Sequence, residues 1–310
     1  MALGHDFEEQ AQLVEAYTDW PRAMFAEVVQ EWHDIADNLG LEDLGRLGPA
    51  DNANVVRLAR PRFGDSTLSG MGVLKVCITT GSREPELLTA YNTTHPDCAV
   101  WLRAHGTTAS GRLWQLTDYA AGVEPGSPLT TEMVAVAAMR ARELRGAFDQ
   151  VGHPEGLVAA DAELLSRLLK DQGALEMLAK RVGSRAGVVA ELASRIGTGD
   201  SVLHGDYWSR NTLMQECGNL LVLDPCGRVG PAEADIALWI AIASAQEHTV
   251  PGAAVESALA ADPDLSSSVL FSWIALNHMV LAARQERGSP FLRASADDVM
   301  RLAIATFRLA

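Results

Sequence analysis

The sequence predicts an α+β protein of two lobes, a small antiparallel sheet followed by a larger and mostly helical lobe. Two observations lead to this prediction. Before residue 120, short β-branched segments lie between Gly, Pro, Asp and Asn, as strands joined by turns do. After it, apolar residues recur at the 3.6-residue spacing of helices. We therefore divide the 310 residues into a lobe at 1–119, with a helical lead-in at 1–40, and a lobe at 120–310.

The first lobe begins with the helical lead-in. Apolar residues follow helical spacing from Phe7 to about Asn38, and Pro21 predicts a break between two helices. Two strands, one helix opened by a proline in its first turn, and two more strands are then predicted at Ala53–Pro61, Gly72–Thr79, Glu84–Asn92, Ala99–Ala104 and Arg112–Tyr119.

The second lobe is predicted to be helical with one interruption. Its predicted helices are Glu132–Gln150, Ala160–Lys170, Glu176–Ile196, Ala234–Glu247, Ser267–Arg284 and Ala296–Leu309. Between them, three short apolar pieces at Ser201–Leu203, Thr212–Met214 and Leu220–Leu223 predict a small β-element. This element would hold Asp206, Asn211 and Asp224 at its mouth.

The charge balance bears on the partners. With 25 Lys and Arg against 40 Asp and Glu, the net charge is −15, which disfavours nucleic acid and favours a cationic ligand or simply solubility. From Val229 to Ala283 there is no Lys or Arg. The acidic residues of that span are Glu233, Asp235, Glu247, Glu256, Asp262 and Asp264. They predict either a negative acceptor pocket or a solvated acidic surface.

Neither a membrane nor an oxidising compartment is expected. The four cysteines are few and irregularly spaced, so reduced thiols are predicted. The first residues, MALGHDFEEQ, have no basic stretch followed by an apolar region, and the longest apolar window contains Asn277 and His278, as a buried helix can. We expect a cytoplasmic protein.

Asp206, Asn211 and Asp224 together predict phosphoryl transfer. A carboxylate within hydrogen-bond reach of a substrate hydroxyl can orient it and accept its proton, which is the role expected of Asp206. The amide oxygen of Asn211 and the carboxylate of Asp224 are hard ligands of the kind that Mg²⁺ prefers.

This pattern resembles a known family. His204-Gly205-Asp206, then Asn211, then Asp224 after an apolar strand, is similar to the catalytic loop and metal-binding Asp of the kinase fold in aminoglycoside phosphotransferases. Lys75 on a predicted strand resembles the phosphate-pairing lysine of that fold, and Glu84 resembles its ion-pair partner. The stretch Leu116-Thr117-Asp118-Tyr119 resembles the hinge that binds adenine, so Leu116 and Asp118 are expected near the nucleotide.

The closest resemblance is to the streptomycin 6-phosphotransferase and hydroxyurea phosphotransferase group. It rests on the helical lead-in, on Asp224-Pro225, on the Gly-x-x-Gly-Pro at Gly227–Pro231, and on Asp235 opening an apolar helix. The resemblance implies a monomer or homodimer that transfers phosphate from ATP, with Mg²⁺, to a hydroxyl of a small cationic antibiotic, and GTP is not excluded as donor. Resistance or producer self-protection would be the context.

Two departures from the protein-kinase pattern, and one from the pattern usual in this group, bear on the substrate. Gly205 stands where protein kinases carry an Arg, and only ten residues separate Asp224 from Asp235, which leaves no room for an activation segment. The acceptor is therefore expected to be a small molecule. Arg210 follows a bulky stretch and counts against streptomycin itself. His204 is expected to shape the loop, and Asp235 to hold its backbone.

Other functions are compatible with part of this pattern. A metabolic kinase of the same fold remains open, as does a nucleotide-binding pseudokinase, although Lys75, Asp206 and both metal-ligand positions are present. A hydrolase built on His204 and Asp206 lacks both a G-x-S-x-G elbow and an H-E-x-x-H pair.

Overall fold

A computed structural model of the chain describes residues 7–12, 21–47, 54–62, 70–80, 82–170, 191, 193–286 and 294–309. The chain divides into two compact units. Unit 1 comprises Met1–Asn92 and Val100–Ala121, and unit 2 comprises Thr93–Ala99 and Gly122–Ala310. The predicted α+β fold, with an antiparallel sheet ahead of a mostly helical part, is confirmed.

Unit 1 is built on a five-stranded antiparallel sheet. Its strands are β1 (Leu41–Arg46), β2 (Val55–Pro61), β3 (Gly72–Thr80), β4 (Leu102–Thr107) and β5 (Arg112–Asp118). They lie in the spatial order β1, β2, β3, β5, β4, so β3 and β5 occupy interior positions. The pairing of β3 with β5 places Lys75 directly opposite Gln115.

Helices flank this sheet. Residues 7–12 are helical, and helix α1 (Arg22–Asn38) begins directly after Pro21, as the predicted break requires; residues 13–20 lie outside the described part of the chain. The apolar face of α1 packs on the sheet, where the indole nitrogen of Trp32 donates to the backbone oxygen of Leu74 at 3.1 Å. Helix α2 (Glu84–Thr94) carries Glu84 in its first turn.

Two details of unit 1 were not predicted. Strand β1 was not predicted because its sequence, LEDLGR, is acidic and contains a glycine, which is not typical of strands. A bulge at Asp43 and Gly45 accommodates the glycine. The N–H of Gly45 donates to the Asp43 carboxylate at 2.9 Å. The strand predicted at Ala99–Ala104 lies instead at Leu102–Thr107. Its predicted start was wrong because Ala99 forms an isolated bridge with Val222 within unit 2.

Unit 2 is mostly helical. Its helices are α3 (Thr131–Val151), α4 (Ala160–Lys170), α5 (Glu233–Glu247), α6 (Gly252–Ala261), α7 (Ser267–Glu286) and α8 (Ala296–Phe307). Helix α6 was not predicted, because its alanine-rich sequence buries little more than Ala254, Val255 and Ala258. The helix predicted at Glu176–Ile196 lies largely outside the described residues.

The β-structure of unit 2 differs from the single element that was predicted. Its strands are β6 (Val158–Ala159), β7 (Ser201–Leu203), β8 (Thr212–Met214), β9 (Leu220–Val222) and β10 (Arg228–Gly230). Strands β8 and β9 form one hairpin, whereas β7 pairs with β10, which in turn pairs with β6. Strand β10 was not predicted from the sequence, because it is only three residues long and ends at Gly230, directly before Pro231.

The apolar segment that contains Asn277 and His278 forms the buried part of helix α7. Among the helices in the described part of the chain, none is both long enough and apolar enough to cross a membrane.

Candidate active site

Asp235, in the first turn of helix α5, holds the backbone of the loop between β7 and β8. The two carboxylate oxygens of Asp235 accept hydrogen bonds from the backbone N–H groups of His204 and Gly205, at 2.8 and 2.9 Å. Burial raises the pKa of Asp235, and the two N–H donors act in the opposite direction. The expectation that Asp235 holds the loop backbone agrees with this geometry.

His204 ties the same loop to the segment after β9. Its Nδ1 accepts from the N–H of Asp206 at 3.3 Å, so its Nε2 donates to the backbone oxygen of Leu223 at 2.7 Å. The backbone oxygen of His204 also accepts from the N–H groups of Cys226 and Gly227, at 2.8 and 3.0 Å. The side chain is fully buried, and all these contacts are structural.

Asp206 and Asn211 are in direct contact. The Asn211 Nδ2 donates to the backbone oxygen and to Oδ2 of Asp206, each at 2.8 Å. The backbone oxygen of Asn211 accepts from the N–H of Leu223 at 2.8 Å, which joins the loop to the strand leading to Asp224. Oδ1 of Asp206 is thereby left as the oxygen that can face a substrate, and Oδ1 of Asn211 as one that can face a cation.

Asp224 has a backbone φ of 51°, in the left-handed region that non-glycine residues rarely adopt. Its neighbours are clamped: Leu223 bonds to Asn211 and to His204, and Cys226 bonds to His204. Such a conformation costs on the order of 1–3 kcal/mol and persists where the surroundings over-determine it, which is common at functional sites.

Asn211 and Asp224 are chemically suited to Mg²⁺. They offer an amide and a carboxylate oxygen, and Mg²⁺ sites commonly use one or two protein oxygens completed by substrate phosphates. The described residues contain no cluster of three or more His, Cys, Asp or Glu that could hold a metal ion without a substrate. A metal-binding role for Asn211 and Asp224 remains a prediction.

Unit 1 brings together Lys75 and Glu84, the other predicted pair. The Lys75 Nζ lies 2.7 Å from Glu84 Oε2, and both side chains are buried. A third residue, Gln115, was not predicted: its Nε2 donates to the other carboxylate oxygen of Glu84. The cross-strand pairing of Gln115 with Lys75 was the available signal, but strand register could not be read from the sequence.

The predicted hinge residues are found at the end of β5. Leu116 is buried in the core between α1 and the sheet. The N–H of Asp118 donates to the backbone oxygen of Trp101 at 2.8 Å, that of Tyr119 to Met71 at 3.2 Å, and the Asp118 carboxylate pairs with Arg103. These two N–H groups are therefore used within the sheet, and a role for Leu116 and Asp118 in binding nucleotide remains a prediction.

A cavity of about 320 Å³ opens beside Asp206 within unit 2. Asp206, Trp208, Arg228 and Glu163 contribute to its wall. Arg228 forms an ion pair with Glu163. Although burial acts to lower the pKa of Arg228, this ion pair and the nearby charge of Asp206 raise it. Neither Glu163 nor Arg228 was predicted, because no motif links two residues 65 positions apart.

Most acidic residues of the span after Asp224 do not line this cavity. Glu233 accepts from the N–H of Ser266 at 2.6 Å, and Asp262 pairs with Arg145. Of the six acidic residues in that span, Asp235 alone lines the cavity, and its oxygens already hold the loop. The cations in the cavity wall are Arg228 and Arg284, whereas the exposed Arg210 lies over the ring of Trp208.

Comparisons with known proteins show the fold. A family model described as fructosamine kinase matches residues 164–252. No curated protein sequence matches this chain.

Three solved structures are similar over nearly the whole chain. An amicoumacin kinase in complex with AMP-PNP, Ca²⁺ and its antibiotic has a TM-score of 0.55 and 12% identity, covering 96% of each chain. The choline kinase of Streptococcus pneumoniae gives 0.54 and 14%, covering 91% of this chain and 98% of that one. A spectinomycin phosphotransferase with ADP and spectinomycin gives 0.53 and 11%, covering 89% and 98%.

The chain therefore has the kinase-like fold of aminoglycoside phosphotransferases and choline kinase. Together with the family-model match, this fold supports a small-molecule phosphotransferase with an alcohol group as acceptor. The narrower resemblance to the streptomycin and hydroxyurea group remains a prediction.

Proposed function

We propose that this protein is an ATP-dependent O-phosphotransferase that phosphorylates a hydroxyl group of a small molecule. The observation that carries the proposal is the contact between Asn211 and Asp206, which fixes one carboxylate oxygen of a residue that lines the cavity. A carboxylate so placed is suited to orient an acceptor hydroxyl.

Each site residue has a part in this reaction. Asp206 Oδ1 accepts the hydrogen of the acceptor hydroxyl and receives its proton as the hydroxyl oxygen attacks the γ-phosphorus, while the bond from the γ-phosphorus to the β,γ-bridging oxygen breaks and ADP leaves. Lys75, held by Glu84, pairs with phosphate oxygens of the nucleotide. Asn211 and Asp224 would hold Mg²⁺, which when bound neutralises charge on the phosphates. Leu116 and Asp118 are proposed to lie near the adenine, and GTP remains possible as donor.

Two acceptor classes have support. An antibiotic acceptor, which would give resistance or self-protection, is supported by the similarity to amicoumacin and spectinomycin kinases. A metabolic acceptor is supported equally, by the fructosamine kinase match and the similarity to choline kinase. The expected positive charge on the acceptor has less support, since five of the six acidic residues between Val229 and Ala283 do not line the cavity.

A nucleotide-binding pseudokinase is the alternative from another class. It is disfavoured because Lys75 and Glu84 are paired and Asp206 is oriented, as an active kinase needs. An ATP-dependent enzyme would find its donor in the cytoplasm, and this is the location that we propose. We propose that the protein is a monomer or a homodimer.

The deciding experiment measures ADP release from Mg·ATP with a panel of antibiotics and metabolic alcohols. We expect one class to stimulate release in the native protein and not in Asp206→Asn. Binding of Mg·ATP with no stimulation by any acceptor would favour the pseudokinase. Absence of Mg·ATP binding would refute both.

A further inference from the structure

Apolar side chains form part of the wall of the cavity beside Asp206. They come from helices α4, α5 and α7, namely Leu164, Leu238, Ile242, Trp273, Val280 and Leu281. Asn277 adds an amide to this wall; its Nδ2 donates to the backbone oxygen of Trp273 at 2.9 Å, which leaves Oδ1 as an acceptor. A ligand that reaches this wall must therefore present mostly apolar surface to it.

The cavity wall also contains charged side chains, namely Glu163, Asp206, Arg228, Asp235 and Arg284. Glu163 is engaged with Arg228, and the Asp235 oxygens accept two backbone N–H groups. An ammonium group bound here would meet the positive charges of Arg228 and Arg284, and against the apolar side chains it would lose water. The arrangement thus opposes several positive charges on one ligand.

Arg228 is held in this position. Its Nη1 donates to the backbone oxygens of Gly227 and Cys226, at 2.7 and 3.3 Å. Its side chain crosses directly under Gly205, which has a φ of 83°; a Cβ at that position would come within 2.7 Å of the Arg228 Cγ. The glycine of the loop therefore makes room for the arginine, and the guanidinium is a built part of the cavity wall.

We infer that the acceptor is an alcohol with a compact aliphatic or aromatic body and at most one charge, rather than a polycationic aminocyclitol. This inference rests on the proposed function and specifies its substrate class. The hydroxyl lies at Asp206, and the apolar body packs against α5 and α7. Oδ1 of Asn277 accepts one hydrogen bond from it.

The test measures ligand binding to the protein without nucleotide, by ligand-detected NMR and calorimetry. The probes are phenylpropanol, a neutral aryl alcohol, and streptomycin, a polycation. Leu238 and Leu164, on two different helices, are each changed to Asp and to Met. We expect phenylpropanol to bind more tightly than streptomycin, and either Asp variant to weaken its binding by about tenfold or more, because a carboxylate replaces apolar wall. The volume-conserving Met variants should retain it.

Four results would overturn the inference: no binding of phenylpropanol, tighter binding of streptomycin, phosphorylation of streptomycin, or equal binding of phenylpropanol to native protein and to both Asp variants. Circular dichroism shows which variants are folded. Because Leu164 and Leu238 lie on different helices, one position can still give a result if the variant at the other does not fold. Mg·ATP binding is measured on the same samples. If the native protein does not bind Mg·ATP, the proposed function is refuted but the cavity result stands. If streptomycin is phosphorylated, the proposed function stands but the inference about the acceptor is refuted.

Discussion

The Nδ2 of Asn211 lies 2.8 Å from Oδ2 of Asp206 and 2.8 Å from its backbone oxygen, so one proposed metal ligand holds the proposed catalytic carboxylate in place. The amide donates on one side and offers its oxygen on the other. A change at Asn211 therefore acts on the acceptor as well as on the metal, whereas a change at Asp206 acts on the acceptor hydroxyl.

Asp206→Asn should lower kcat by about 10²–10⁴-fold, the range typical of losing a general base, with the affinity for Mg·ATP little changed. Steady-state kinetics and nucleotide titration measure the two quantities. Asp200→Asn, at an exposed position near the start of β7, is the matched control and should leave both unchanged. Full turnover in Asp206→Asn would contradict the assignment.

Asp235→Asn should destabilise the protein by about 2–4 kcal/mol, because the amide can accept from one N–H group but must turn its own NH₂ toward the other. Urea unfolding followed by circular dichroism measures this. Asp264→Asn, an exposed carboxylate near Arg142, should cost less than about 0.5 kcal/mol. If the two variants unfold at the same urea concentration, Asp235 does not hold the loop.

Gln115→Met keeps the size of the side chain but removes the donor to Glu84. We expect the KM for ATP to rise by about tenfold, because the Lys75–Glu84 pair would be less well ordered. A hydrogen bond to a charged group contributes about 1.5 kcal/mol, which corresponds to a change of that size. The KM for the acceptor should stay the same. Lys75→Met provides the upper limit of the effect, and an unchanged KM for ATP would show that Gln115 serves packing alone.

The parts of the site that could be predicted are those that are close in sequence or fixed by a motif. Asp206 and Asn211 are five residues apart, and a single hairpin connects Asn211 to Asp224. Gln115 and Arg228 could not be predicted, because their roles depend on the register of β3 with β5 and on the pairing of β10 with β7.

The acidic span shows the same limit. Two of its carboxylates are engaged by groups distant from them in sequence: Asp262 pairs with Arg145 of helix α3, and Glu233 accepts from the N–H of Ser266. Net charge along a segment does not reveal which charges tertiary contacts have already engaged.

His278 makes the stability of unit 2 sensitive to acid. It is fully buried in helix α7, where its Nε2 lies 2.8 Å from Ser244 Oγ and 3.1 Å from the backbone oxygen of Ala241; its Nδ1 has no hydrogen-bond partner among the described residues. Burial lowers the pKa of His278 from 6.5 to about 4. The unfolded chain therefore binds a proton at this site at a higher pH than the folded chain does.

Stability should accordingly fall as the pH decreases through 6.5 toward 4, and the contribution of His278 to the loss between pH 7 and pH 5 is about 2 kcal/mol. His278→Gln removes the titrating group, so the free energy of unfolding should depend less on pH over this range, whatever its absolute value. Urea unfolding at both pH values measures the difference, with His153→Gln at an exposed position as control. The same pH dependence in His278→Gln and in the native protein would contradict the prediction. It would mean that the pKa of His278 is the same in the folded and unfolded chain, and that α5 and α7 accommodate the charged ring.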